Sequence, residues 1–329
     1  MPSLQTHHTF HLPAQCQYIH HFSSSDTFLD LWHGSATNYL LGGGSNTLFL
    51  EDFEGQVFIN TLKGISYRET KNSHIIKVAS GENWHELVTR FLAEGWHGLE
   101  NLALIPGSVG AAPIQNIGAY GVEAGNFIAA VEYRDIQTGE TNERMGSECL
   151  FGYRDSIFKS ALAGHILITH VTFELPKKYQ PITTYGDLAK LTDPSANEIY
   201  NTVINIRRSK LPDPDTLGNA GSFFKNPVLL ASHYQDLKNE FGAVPGFSAG
   251  NGVKVPAAWF IDQCGFKGKT IGGVRCHPDQ PLVLTNANNA SGDDVISMAQ
   301  LIMQTVNERY AVPLEPEVRL VGSAGAITL

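Results

Sequence analysis

Ser222, Arg154 and Glu317 are side chains that could do proton and charge chemistry, and each also has a purely structural reading. Ser222 lies in Gly218-Asn219-Ala220-Gly221-Ser222-Phe223-Phe224-Lys225-Asn226-Pro227. Its two glycines let backbone turn tightly and approach another molecule. One hydroxyl, one cation and one amide beside an apolar pair suit a site that excludes water and still handles charge. The same segment also reads as a tight turn before a buried strand, with Ser222 bonded to its own backbone. Arg154, in Gly152-Tyr153-Arg154-Asp155-Ser156, has the fork geometry to grip a carboxylate bidentately, or to pair with Asp155. Glu317, between Pro316 and Val318, is a lone acid in a turn.

Two glycine-rich stretches must lie close to something. Gly42-Gly43-Gly44-Ser45-Asn46 follows the apolar run Tyr39-Leu40-Leu41 and precedes Thr47-Leu48-Phe49-Leu50. That order is strand, glycine loop, strand. A dinucleotide fingerprint needs a helix after the turn, and a P-loop needs Gly-Lys-Ser/Thr, so neither applies. Consecutive N–H groups in such a loop form a nest for phosphate, although a hairpin turn has the same composition. The second stretch, 98–121, contains Ile105-Pro106-Gly107-Ser108-Val109-Gly110-Ala111-Ala112-Pro113-Ile114-Gln115-Asn116-Ile117-Gly118-Ala119-Tyr120-Gly121. Small residues, isoleucine faces and two amides fit a large planar cofactor with a polar edge, or a loop packed on its own domain.

The elements that position these residues follow from periodicity. Residues 26–32 read as a helix after a serine run. Residues 81–95 form a helix with Trp84, Leu87, Val88, Phe91 and Leu92 on one face and Gly95 past its end. Strands are expected at 57–60, 75–79, 131–135 and 166–173. Polarity then rises into a linker after Lys178. Ser195 and Glu198 make a capping box for a helix to about 208, which Pro212 and Pro214 close off. Residues 256–264 read as a helix with Pro256 at its first position, and a long helix starts at Ser291.

Bulk properties narrow the class. The chain has 329 residues, 42% hydrophobic and 17% charged, which describes a soluble globular protein of two or three domains. A net charge of -9 argues against nucleic-acid binding. Cations nevertheless gather locally: Arg207, Arg208, Lys210, Lys225, Lys254, Lys267, Lys269 and Arg275 leave room for an anionic small ligand. The four cysteines form no CxxC pair and read as reduced thiols, and no histidine pattern implies a metal. The N-terminus lacks a signal-peptide pattern and no apolar run spans a bilayer, so a cytoplasmic protein with no membrane partner is expected.

Taken in order, Gly42-Gly43-Gly44-Ser45-Asn46, residues 105–121, Tyr153-Arg154-Asp155-Ser156, Gly221-Ser222-Phe223-Phe224-Lys225-Asn226-Pro227 and Pro316-Glu317-Val318 resemble the UDP-N-acetylenolpyruvoylglucosamine reductase family over nearly the whole chain. Thr184-Tyr185-Gly186-Asp187-Leu188 resembles the substrate-covering loop of its longer bacterial subtype. The resemblance implies an α+β fold: a two-lobed FAD-binding region of the vanillyl-alcohol-oxidase (PCMH) type and a C-terminal α+β substrate-binding domain. It places the lobes at 1–65 and 66–209, with 314–329 returning to the second lobe, and the substrate domain at 210–313. It implies tightly bound, non-covalent FAD and NADPH as hydride donor. The reaction would reduce the enolpyruvyl ether of UDP-N-acetylglucosamine-enolpyruvate to UDP-N-acetylmuramate, in peptidoglycan precursor synthesis.

Residue by residue, the resemblance makes Ser222 the proton donor to C2, Arg154 the stabiliser of charge on the substrate, and Glu317 an acid that must be partly protonated. It assigns FAD contacts to Gly42, Gly43, Gly44, Ser45, Asn46, Ile105, Pro106, Gly107, Ser108, Gly110, Ala111, Gln115, Asn116, Ile117, Gly118, Ala119, Tyr120 and Gly121. Lys210, Asn226, Lys267 and Gln280 match positions that hold the nucleotide diphosphate or sugar, and Tyr185 the tyrosine that covers it. Phe247 stands where some relatives carry tyrosine, which removes a hydroxyl and leaves stacking. A monomer is expected. Two other readings fit the fold: another PCMH-type FAD oxidoreductase, such as an alcohol oxidase, and an inactive nucleotide-sugar-binding protein. The first would carry a histidine or cysteine for covalent flavin; the second could dispense with Ser222, Arg154 or Glu317.

Overall fold

The strand Ile166–Pro176 begins with Ile166-Leu167-Ile168, a continuous apolar run of the kind that forms where a strand is buried on both faces. In the computed structural model, which describes residues 1–32 and 37–329, it is the central strand of a five-stranded antiparallel sheet. The order is Thr141–Met145, Ile128–Asp135, Ile166–Pro176, Ser73–Ala79, Ile65–Glu69. Ile166 and Ile168 enter one core and Leu167 the other. A bulge between Ile168 and His170 inserts Thr169, and Val171, Phe173 and Leu175 then continue the first core with shifted parity.

The helix Trp84–Ala93 packs Trp84, Leu87, Val88 and Phe91 into that core. Asn83 caps it by accepting from Glu86 N at 3.0 Å, and Gly95, at φ +74, stops it. The helix Ala196–Lys210 adds Ile199, Val203 and Ile206. Its capping box is formed, with Ser195 N donating to Glu198 Oε2 at 2.8 Å. Phe28, from Ser25–Trp32, packs into the second core with Phe22, Phe58 and Leu167. These elements belong to one of two compact units, Ile19–Gly43 with Gln56–Ser209.

The other unit comprises Met1–Tyr18, Gly44–Gly55 and Lys210–Leu329. Its spine is the helix Gly292–Tyr310, with Val295, Met298, Ala299, Ile302 and Val306 on one buried stripe. Ser291 and Asp294 cap it reciprocally, as Ser291 N donates to Asp294 Oδ2 at 2.9 Å. Phe223, Phe224, Phe260 and Ile261 share its core; burying each such side chain contributes about 1.5–3 kcal/mol. A four-stranded sheet runs Asn219–Ser222, Val283–Asn286, Val274–Cys276, Thr270–Ile271, and a smaller one Val228–Leu230, Gly252–Lys254, Phe247–Ala249.

Several expectations need correction. The C-terminal strand Arg319–Gly322 does not return to residues 66–209: it pairs in parallel with Thr47–Phe49, through Arg319, Leu320 and Val321. Pro256 caps the helix Ala257–Gln263 from outside, at φ −61 and ψ 120, because its extended ψ is not helical. The strand over 57–60 extends back to Phe53, and Cys16–Phe22 and Ile65–Glu69 are additional strands. All four cysteines are free. Among the described residues, no helix is long and apolar enough to cross a membrane, and no cluster has a metal-ligand composition.

Candidate active site

The segment 105–121 is held at several points between Gly107 and Tyr120 by groups outside it. Trp84 N donates to Gly107 O at 3.0 Å, Val109 N to Glu82 O at 2.9 Å and Gly110 N to Ser80 O at 2.8 Å. The helix start and the strand end before it thus hold the segment's first half. Ser156 Oγ donates to Ile114 O at 2.6 Å. Gly118-Ala119 and Val122-Glu123 then form a hairpin, with Tyr120 at φ +50 and Gly121 at φ +83 as its turn. Positive φ at both central positions is what a two-residue hairpin requires, and glycine meets it more readily than tyrosine. Asn101 Nδ2 donates to Tyr120 O at 3.0 Å and so holds the turn.

This arrangement fits a dinucleotide cofactor. A Cβ on Gly43 would lie 2.7 Å from Gly107 Cα, and one on Gly42 would lie 3.2 Å from Ser108 Oγ. The glycine-rich stretches therefore meet with bare backbone, the surface a diphosphate needs. Asn116 was expected to contact FAD. It is buried at φ +46, its Nδ2 donates to Glu123 Oε2 at 2.8 Å and Gly152 O at 3.0 Å, and its Oδ1 accepts from Gly125 N at 2.8 Å. Its amide is engaged by protein and braces the segment. Asn46 is similar: its Nδ2 donates to Glu317 O at 3.1 Å.

Arg154 also has a left-handed backbone, at φ +55, and its Nη2 donates to Gly118 O at 3.0 Å. Asp155 Oδ1 accepts from Ser156 N at 2.9 Å, so that carboxylate caps its own turn. Lys159 Nζ donates to Arg154 O at 2.8 Å. Tyr185 is exposed and meets the Tyr120 ring edge-on at 6.4 Å between centroids.

In the other unit, Ser222 and Glu317 are brought together by main-chain pairing. Glu317 N donates to Phe223 O at 2.8 Å, Lys225 N donates to Glu315 O at 2.9 Å, and Phe224 bridges Pro316. On its other side Phe223 N donates to Leu282 O at 2.7 Å, and Ser222 pairs with Val283. Buried Asn219 secures the preceding turn, its Oδ1 accepting from Gly221 N at 3.0 Å and its Nδ2 donating to Pro212 O at 3.1 Å. Phe223 and Phe224 do not line a site: both are fully buried in one core, and they lie just past the end of the strand Asn219–Ser222, where its alternation no longer applies. Asn226 Oδ1 accepts from Ala257 N at 2.9 Å and Lys267 Nζ pairs with Asp262 Oδ2 at 3.0 Å. Gln280 is half-buried beside His277, Lys210 ends its helix exposed, and Phe247 is exposed on a short strand.

Sequence reasoning missed His85, Asn101, Arg207 and Asn219, which hold the glycine-rich backbones. Arg207 lay within the noted cation cluster, the one signal available for it. It is half-buried, which opposes its charge, and it faces Tyr120. Buried His8 is held down to about 4 by desolvation; its Nε2 lies 3.2 Å from Leu12 O, and its Nδ1 lacks a partner.

Comparison with known proteins agrees with both units. Residues 213–321 match the model of the UDP-N-acetylenolpyruvoylglucosamine reductase C-terminal domain, and residues 35–143 match an FAD binding domain. The chain is 50% identical to UDP-N-acetylenolpyruvoylglucosamine reductase of Pseudoalteromonas atlantica, over 100% of this chain and 96% of that protein. It is 44% identical to the Escherichia coli enzyme of that name, over 99% and 97%. The solved structure of the Thermus caldophilus reductase shares the fold, with a TM-score of 0.66 at 22% identity over 97% of each chain. The chain is thus α+β with a PCMH-type FAD-binding domain, and it belongs to the UDP-N-acetylenolpyruvoylglucosamine reductase family of FAD-containing oxidoreductases.

Proposed function

We propose that this protein reduces UDP-N-acetylglucosamine-enolpyruvate to UDP-N-acetylmuramate at the expense of NADPH. The observation that carries this reading is the pairing of Ser222-Phe223-Phe224 with Pro316-Glu317, which sets a hydroxyl and a carboxyl group on adjacent segments. Gly42, Gly43 and residues 105–121 would hold FAD, with Gly44, Ser45 and Asn46 completing the first loop. FAD held there would, once reduced by NADPH, supply a hydride for C3 of the enolpyruvyl group.

The remaining work falls to side chains. Hydride at C3 leaves an electron pair at C2, delocalised into the substrate carboxylate. Arg154 stabilises that charge, its guanidinium oriented by Gly118 O. Glu317 polarises or protonates the same carboxylate, and Asn46 and Phe223 fix its backbone. Ser222 gives its proton to C2, which is basic enough for a positioned hydroxyl to suffice. Lys210, Asn226, Lys267 and Gln280 bind the nucleotide sugar, and Tyr185 covers it. On this reading the chain works in three ranges, with FAD lobes at 1–65 and 66–209 and a substrate region at 210–313. It acts as a cytoplasmic monomer, with no nucleic-acid or membrane partner.

The test is incubation of purified protein with NADPH and the enolpyruvyl nucleotide sugar. A product that gains two hydrogen atoms across the enolpyruvyl double bond, with matching NADPH consumption, is expected. NADPH consumption without that product would contradict the assignment.

A further inference from the structure

The segment 105–121 opens on Leu104, which has φ +58. A residue with a Cβ costs about 1–3 kcal/mol in this region and stays there only where its surroundings fix it. Both main-chain polar groups of Leu104 are taken by side chains. Leu104 N donates to His85 Nδ1 at 3.0 Å, and Arg207 Nε donates to Leu104 O at 3.2 Å. Next to His85, Trp84 Nε1 donates to Leu102 O at 3.0 Å. The first turn of the helix Trp84–Ala93 therefore grips the chain on both sides of Ala103.

Arg207 reaches further. Its guanidinium also faces the Tyr120 hydroxyl, and Tyr120 sits in the strained hairpin turn. One half-buried side chain ties the entry of the segment to its far end.

His85 can accept from Leu104 N only while Nδ1 keeps its lone pair, so the ring must be neutral with its proton on Nε2. Burial and the charges of Arg208 and Arg207 hold its pKa below the ordinary value, against the opposing carboxylate of Glu86. The ring stacks on Tyr200 at 6.0 Å between centroids, and Tyr200 Oη meets Thr89 Oγ1 at 2.7 Å.

We infer that His85 and Arg207 are positioning residues for the flavin: they lock 105–121 in the conformation that receives FAD, and a second proton on His85 opens the lock. The inference rests on the FAD reading above. Asparagine at position 85 places Oδ1 near the Nδ1 position and cannot take up the proton. Phenylalanine keeps the ring and loses the acceptor. Lysine at position 207 keeps the charge and loses the fork.

The experiment measures FAD dissociation from the holoprotein by dialysis and flavin absorbance, from about pH 8 down to about pH 4.5, a range that extends well below the ordinary histidine value because the pKa of His85 is lowered. Circular dichroism at each pH confirms that the chain stays folded. For the wild type, the FAD dissociation constant should rise about tenfold or more on acidification. His85→Asn should bind as the wild type does at the alkaline end and lose the acid response. His85→Phe should bind about tenfold more weakly than the wild type at the alkaline end and show no acid response, and Arg207→Lys should weaken binding by about tenfold at every pH, the loss of one charge-assisted or buried bond. An acid response in His85→Asn equal to that of the wild type would overturn the inference, even if His85→Phe fails to fold. Wild-type protein that binds no FAD at any pH would overturn the FAD reading, and the inference with it.

Discussion

Residues 105–121 and 218–227 are both glycine-rich, and they are held in different ways. The first has main-chain bonds to Ser80, Glu82 and Trp84 and a set of side-chain braces besides: Ser156 on Ile114, Asn116 on Glu123 and Gly152, Asn101 and Arg207 on Tyr120. Leu104 before it, and Asn116 and Tyr120 within it, sit at positive φ. In the second, only Gly221 does so among the described residues, and pairing with Leu282, Val283 and 315–317 supplies much of the support. A segment held by side chains can be loosened one contact at a time. A segment held by a ladder and anchored by buried Phe223 and Phe224 fails with its core. Ser222, whose side chain is not in that core, is the exception.

That contrast sets the order of expected effects. Ser222→Ala should lower turnover by about 10²–10⁴-fold, with flavin reduction by NADPH unchanged in stopped-flow absorbance. Failure of the reductive step would mean that Ser222 is structural. Phe223→Ala should cost about 3–5 kcal/mol in urea unfolding, and a small cost would show that the ladder does not depend on its core. Gly43→Ala should cost about 1–3 kcal/mol, because its Cβ meets Gly107 backbone rather than a movable side chain; an unchanged melting temperature with full FAD content would remove that contact from the account.

The smallest effect is the acid response of His8. Its folded pKa of about 4 lies below the ordinary 6.5, so its contribution is complete above 6.5 and is lost as the pH falls toward 4. Between 6.5 and about pH 5.5 the loss should be about 1 kcal/mol, and His8→Leu should flatten it. A slope unchanged in that variant would assign the response to other groups.

The parts legible in sequence were those written locally. The capping residues Ser195 and Ser291 announced their helices, and the apolar stripe of Trp84–Ala93 announced its buried face. Ile65–Glu69 did not read as a strand because four of its five residues are exposed at a sheet edge and carry no alternation. The bulge at Thr169 left no local mark, since its reason is the pairing with Glu132. Phe223 and Phe224 suited a water-excluding site as well as a buried turn, because a sequence does not distinguish a wall of a site from a core. His85 was one more polar residue on an amphipathic helix; its role depends on Leu104, which arrives from the next loop. Family resemblance supplied the roles of Ser222, Arg154 and Glu317, which composition alone left balanced against structural ones.

The most direct test is an anaerobic titration of the purified protein followed by visible absorbance. One equivalent of NADPH should bleach the flavin band, and the enolpyruvyl nucleotide sugar should restore it. A band that bleaches and does not return would keep the flavoprotein and contradict the proposed substrate. Absence of a flavin band, even after FAD is supplied, would contradict the cofactor site built on residues 42–46 and 105–121.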